Sequence, residues 1–154
     1  MHSRVKQFII IVYACFITQA ASQQSNVITV AIFDFEQSGI SELEVQTLTQ
    51  RFTAELGNTA KAILFDRDVV KSQITSAGYT MSNCKDPECV LAAIGDTLGV
   101  QYIITGSIKK KNERYALQAV LTDVETGGEE RIIKANYKGP VDGMVVELEI
   151  MAWD

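Results

Sequence analysis

Val27-Ile-Thr-Val-Ala-Ile-Phe-Asp-Phe35 is an apolar run interrupted only by Thr29 and Asp34. A strand covered by helices on both faces reads this way, because neither side of its pleat meets water. Directly after it, Ser41-Glu-Leu-Glu44 has the spacing of a capping box, in which the serine accepts an amide and the glutamate reaches back. Val45, Leu48, Phe52 and Leu56 then recur at helical spacing, with Gly57-Asn58 as the expected C-cap. Ala62-Ile-Leu-Phe65 reads as a second, short strand. Strand, capped helix and strand make a right-handed parallel unit, so this stretch sets an α/β frame.

Working outward, Asp68 is the expected cap of a helix carrying Val69, Val70 and Ile74 and ended by Gly78. Asp86-Pro87-Glu88 opens the next helix, with proline at its first position. Val90, Leu91, Ile94 and Leu98 form its stripe, and Gly99 closes it. Tyr102 to Ile108 is the third strand. Tyr115, Leu117, Ala119 and Leu121 alternate with Gln118 and Thr122, the pattern of a half-exposed fourth strand. Asp123-Val-Glu-Thr-Gly127-Gly128 supplies a hairpin turn, Arg131 to Tyr137 a fifth strand, and Pro140 opens a last helix through Trp153. The order β-α-β-α-α-β-β-β-α predicts an α/β (α+β) fold. Its single mixed sheet has about five strands, the last three an antiparallel meander, and helices pack on it.

Residues 1–21 stand apart. Arg4 and Lys6 precede the apolar run Phe8 to Ile17, which gives way to Thr18-Gln19-Ala20-Ala21. A basic start, an apolar core of about 10 residues and small residues at the end describe a secretory signal peptide. A membrane-spanning helix needs about 20 apolar residues, so the run is too short to be one. Residues 22–154 are then one exported α/β domain, without a transmembrane segment. The chain stops one residue beyond Trp153 in an apolar helix with no capping signal, which leaves room for a longer protein. Ala14-Cys15 also suggests a lipidation site, but the bulky Tyr13 ahead of Ala14 disfavours acylation of Cys15 against cleavage near Ala20 or Ala21.

Removing the signal takes two cations, so the formal charge moves from -5 to -7, which repels phosphate backbones and disfavours nucleic acid as a partner. Lys109-Lys110-Lys111 with Arg114 is the one basic cluster, and it flanks Asn112-Glu113 as a solvated hairpin tip would. His2, the sole histidine, leaves with the signal, and Cys15 with it. Ser-His and Cys-His nucleophile pairs and histidine zinc sites are therefore excluded, and two remaining cysteines cannot fill a zinc shell. No phosphate-binding loop is present, since Gly95-Asp-Thr-Leu-Gly99 lacks the required lysine and spacing. No cofactor and no metal are expected.

Three sets of residues remain as candidates. Cys84 and Cys89 are expected to form a disulfide outside the cytoplasm, although Cys89 beside a helix N-terminus also fits a thiol redox centre. Asp34 and Glu36 share a face at the carboxyl end of the first strand, with Asp66 and Arg67 at the end of the second. Together they would form a polar rim for a cation or for hydrolysis. The competing expectation leaves Glu36 solvated and Asp34 bonded to nearby amides. Met144, Leu148, Met151 and Trp153 on the last helix exceed one stripe, so they either form an interaction surface or close the core.

Val30-Ala-Ile-Phe-Asp-Phe35 before a capped helix, Phe65-Asp-Arg67 and the Cys84/Cys89 pair ahead of a helix form a recognisable series. Leu98-Gly-Val-Gln-Tyr-Ile-Ile-Thr-Gly-Ser107 and Leu121-Thr-Asp-Val-Glu-Thr-Gly127 continue it. The series resembles a group of bacterial envelope domains that includes CsgG, LpoB and the N-terminal domain of TolB, over most of residues 27 to 140. The resemblance implies a non-catalytic domain of the periplasm, associated with the outer membrane, that docks another envelope protein or self-associates. The loops are too short for the membrane-crossing hairpins of a CsgG-like pore, and the long tether of an LpoB-like activator is missing. What the resemblance implies is an interaction module.

Overall fold

The computed structural model describes residues 27–80, 83–84, 87–94 and 98–154. The apolar run forms β1 (Ile28–Ile32), and the chain then bends at Phe33 to Phe35 into a three-residue strand β2 (Glu36–Ser38). Helix α1 (Glu42–Asn58) and strand β3 (Ala62–Leu64) follow, then α2 (Arg67–Ser76) and α3 (Pro87–Ile94). Strands β4 (Tyr102–Lys111), β5 (Arg114–Asp123) and β6 (Glu129–Lys138) lead through a 3-10 turn (Val141–Gly143) into α4 (Met144–Trp153). The expected order holds, with β2 added. No apolar alternation marks β2, because Glu36, Gln37 and Ser38 are all exposed.

The sheet is mixed and runs β3-β1-β4-β5-β6, with β2 also pairing β4. β1 is parallel to β3 and to β4, while β4, β5 and β6 form the antiparallel meander. Apolar residues cover both faces of β1, as its unbroken pattern requires. Val30 and Ile32 join a larger core built from α1, α4 and the inner face of the meander. Ala31 and Phe33 face a smaller core under α2 and α3. Gly106 in β4 makes room for the larger one. A Cβ there would stand 2.8 Å from the Phe35 ring and 2.6 Å from the Gln118 carbonyl oxygen.

Several local expectations need correction. The Ser41/Glu44 capping box is present, but α1 continues through Asn58 to a cap at Thr59. The left-handed residue is Ala60, at φ 54°, rather than Gly57. Asp66, not Asp68, caps α2: it holds an extended backbone and accepts from the Asp68 and Val69 amides, and Asp68 sits in the first turn. Thr122 is fully buried rather than exposed, and Val120 two residues before it is buried too. The end of β5 is covered on both faces, and its alternation reflects only the inner one. Asp86, the signal segment and Cys15 lie outside the described residues.

Candidate interaction surface

Helix α4 is apolar on two sides. Met144, Leu148 and Met151 are fully buried in the larger core. On the other side Val146, Ile150 and Trp153 are 57, 52 and 52% exposed. Their spacing of four and then three residues places them in one stripe. The surface expected from Met144, Leu148, Met151 and Trp153 is therefore divided: the first three close the core, and only Trp153 reaches solvent. Val146 and Ile150 were missed because no polar face separates the two interleaved stripes. Their spacing from Trp153 was the available signal.

One ion pair joins the helix to α1. Arg51 Nη2 donates to Glu149 Oε1 at 2.6 Å and lies 3.0 Å from Glu55. The Glu149 bond holds the Arg51 pKa above its ordinary value. Lys61 Nζ donates to the Trp153 carbonyl at 3.2 Å, where a cation complements the negative end of the helix. Trp153 also borders a cavity of about 180 Å³ between the sheet and the ends of α1 and α4. Ile28, Phe52, Leu56 and Met151 line it, with Lys61 and Arg131 as its cations. Its size is close to that of cavities that take up benzene, at about 150 Å³.

The expected carboxylate rim is organised differently. Asp34 is buried, and both of its oxygens accept from Arg67, at 3.3 Å from Nε and 2.6 Å from Nη2. A guanidinium, not backbone amides, satisfies it. Asp66 is spent on the α2 cap and Glu36 is exposed on β2. Arg67 is 37% exposed and borders a mostly apolar recess, lined by Ile32, Ala54 and Phe65 as well as Thr49, Gln50 and Thr53, at the carboxyl ends of β1 and β3. Among the described residues no three metal-ligating side chains cluster.

Cys84 and Cys89 are joined in a disulfide, with Cα atoms 5.3 Å apart, and Cys84 is fully buried in the smaller core. Elsewhere, polar side chains shape turns. The Asp123 carboxylate accepts from the Thr126 amide at 2.7 Å, which holds its pKa below the ordinary range. In the capping box, the hydrogen bond from the Ser41 hydroxyl is the main cause lowering the Glu44 pKa.

No family profile matches the sequence, and no curated protein matches it either. Solved structures do. The LpoB C-terminal domain from Salmonella enterica superimposes with a TM-score of 0.60 at 17% identity, over 73% of this chain and 83% of that one. This is the fold of the LpoB C-terminal domain. A lipoprotein from Neisseria meningitidis shares it with a TM-score of 0.61 at 16% identity, over 80% of this chain and 94% of that one. TolB from Acinetobacter baumannii matches with a TM-score of 0.50 at 14% identity, over 83% of this chain and 27% of that one. The LpoB and TolB resemblance read from strand ends and turns is thus matched in three dimensions, as a likeness of fold. Among the described residues no helix is long and apolar enough to cross a membrane.

Proposed function

We propose that this chain is a non-enzymatic interaction or assembly module of the bacterial cell envelope. In this reading it is exported by residues 1–21 and works in the periplasm, docking another envelope protein or a second copy of itself. The observation that carries the reading is the outer stripe of α4. Val146, Ile150 and Trp153 form a continuous apolar line on a helix already anchored to the core on its opposite side. Solvating such a line costs about 25 cal/mol per Å² relative to covering it, and a partner gains that much. The cavity beside Trp153 offers a socket for one apolar side chain of the partner, the anchor-in-pocket arrangement that concentrates binding energy. Likeness of fold to the LpoB domain and to a lipoprotein supports the envelope setting. The Asp34–Arg67 pair supports the non-catalytic assignment, because it occupies the one buried carboxylate among the described residues.

Pull-down of the full chain from envelope extract, combined with sedimentation of the purified protein, tests the reading. The wild type should retain a stoichiometric envelope protein or sediment as an oligomer. Ile150→Glu should abolish that association by about a hundredfold while leaving the melting temperature unchanged, because the side chain is half exposed. An Ile150→Glu protein that keeps every partner and its oligomeric state would remove α4 as the contact surface.

A further inference from the structure

We propose that the uncovered face of the β4–β5–β6 meander is a second docking surface, independent of α4, that receives an acidic polypeptide segment of a partner protein. The helices cover only one end of this face and leave the rest bare. Towards one end Thr105, Val120 and Thr122 are buried, but beyond them Lys109, Lys111, Ala116, Lys134, Asn136 and Lys138 are all exposed. The opposite face holds Ile108, Tyr115, Leu117, Ala135 and Tyr137 against the larger core. Strand alternation therefore divides the Lys109-Lys110-Lys111 triplet. Lys110 goes to the inner side over the Tyr115 ring, 5.1 Å from its centroid, and its two neighbours go to the bare side.

The register then does what the sequence order conceals. Lys111 pairs with Arg114, and Arg114 pairs with Lys138, so three cations stand directly abreast across three strands. Strands are spaced by about 4.8 Å, so the row spans about 10 Å. Like charges directly opposite one another destabilise a sheet. Lys109 and Lys134 extend the array along β4 and β6. Among the described residues these five carry no ion pair with a neighbouring acid, in a chain whose formal net charge is -5. Glu36 beside Ser107 and Glu113 in the turn are the acids at the margin. Protection of an open edge accounts for Lys134 and Lys138 on β6, but not for Lys109, Lys111 and Arg114 on interior strands. A concavity formed by Lys111, Asn112, Glu113, Arg114 and Lys138 lies at the end of the row.

The chemistry of the face selects the occupant. Charges spread over three strands call for several anionic groups in one molecule. Single-stranded nucleic acid would need aromatic platforms, and Tyr115 and Tyr137 lie on the other face. A lipid surface would need a cluster of apolar side chains to insert, and the exposed part of this face offers only Ala116 and, 44% exposed at its margin, Ile132. Asn136, Gln118 and Ser107 stand between the cations and suit the backbone amides of an extended segment carrying Asp or Glu.

Fluorescence anisotropy of the full chain with a labelled decapeptide alternating Glu and Ser tests the proposal. The peptide should bind at low salt, weaken as salt rises, and outcompete the matching Lys-Ser peptide. Lys138→Glu should weaken it by about tenfold, while Lys71→Glu, the same charge change on exposed α2, should stay within about twofold. Equal loss in both variants, or no binding at low salt, overturns the proposal. So does tighter Lys138-dependent binding of phosphatidylglycerol vesicles or of an oligothymidylate. Ile150→Glu should leave peptide binding intact, which separates a failure here from a failure of the α4 reading.

Discussion

At the scale of single residues, two buried polar groups have opposite consequences. Asp34 is neutralised by a guanidinium that is itself 37% exposed. Arg67→Gln should therefore destabilise the fold by about 2 kcal/mol, less than the 3–5 kcal/mol of a sealed pair, because water reaches the site. Urea unfolding measures this, and Asp34→Asn on top of Arg67→Gln should recover part of the loss by removing the stranded charge. A double variant as weak as the single would mean that the carboxylate is not the source. Thr122 is the converse case: it is 0% exposed, and its hydroxyl has no hydrogen-bond partner among the described residues. Thr122→Val should stabilise by about 1 kcal/mol, since an unmade hydrogen bond is exchanged for a methyl group of similar shape. A loss of stability in the same unfolding experiment would show that the hydroxyl is satisfied. The burial of Asp34 was legible from its place at the end of an apolar run. Its partner was not, because pairing across 33 residues is decided by where β3 ends beside β1. Thr122 was misread because alternation reports one face of a strand and says nothing about what covers the other.

At the scale of elements, α1 is where local chemistry and the final structure agree most closely. Ser41 Oγ accepts from the Glu44 amide at 3.2 Å, and Glu44 accepts from the Ser41 amide at 2.8 Å, so two orphan donors are satisfied without tertiary help. That is why the start of this helix was legible in four residues. Its end was not, since Gly57 prefers but does not compel termination, and the chain turns instead at Ala60. Ser41→Ala should cost the fold about 1 kcal/mol and move the Glu44 pKa up toward the ordinary range, because the bond to the Ser41 hydroxyl is the main cause lowering it. The sign follows from that direction. A carboxylate depressed in the folded state adds stability above its unfolded pKa, and that stability is lost as the pH falls through the folded value. The gap between wild type and Ser41→Ala should therefore be widest near neutral pH and narrow below about pH 4. Carboxyl NMR titration and urea unfolding at both ends of that range would check it, and a Glu44 pKa that ignores the substitution would refute it. In α2 the same rule misplaced the cap by two residues, because Asp66 and Asp68 both fit the pattern and only the extended backbone at Asp66 distinguishes them.

At the scale of the whole molecule, β1 and β4 divide two cores of unequal size. One face carries α1 and α4; the other carries α2, α3 and the disulfide. The meander was legible from its turns, whereas the central place of β1 and the second apolar stripe of α4 depend on how distant elements meet. The Cys84–Cys89 link closes a loop only 5 residues apart in sequence, inside the smaller core. Chain entropy gives such a short ring about 2 kcal/mol. That gain belongs to one side of the sheet: α2 contacts β1 and α3, while α1 and α4 hold each other across the other face. Units of this kind open separately when their contacts are few. Replacing both cysteines by serine should therefore speed amide exchange throughout α2 and α3, while α1, β4, β5 and α4 keep their protection. Hydrogen exchange read by NMR distinguishes this from the alternative. If α1 and α4 lose protection in step with α3, the two cores unfold as one, and the disulfide stabilises the whole sheet rather than the layer it closes.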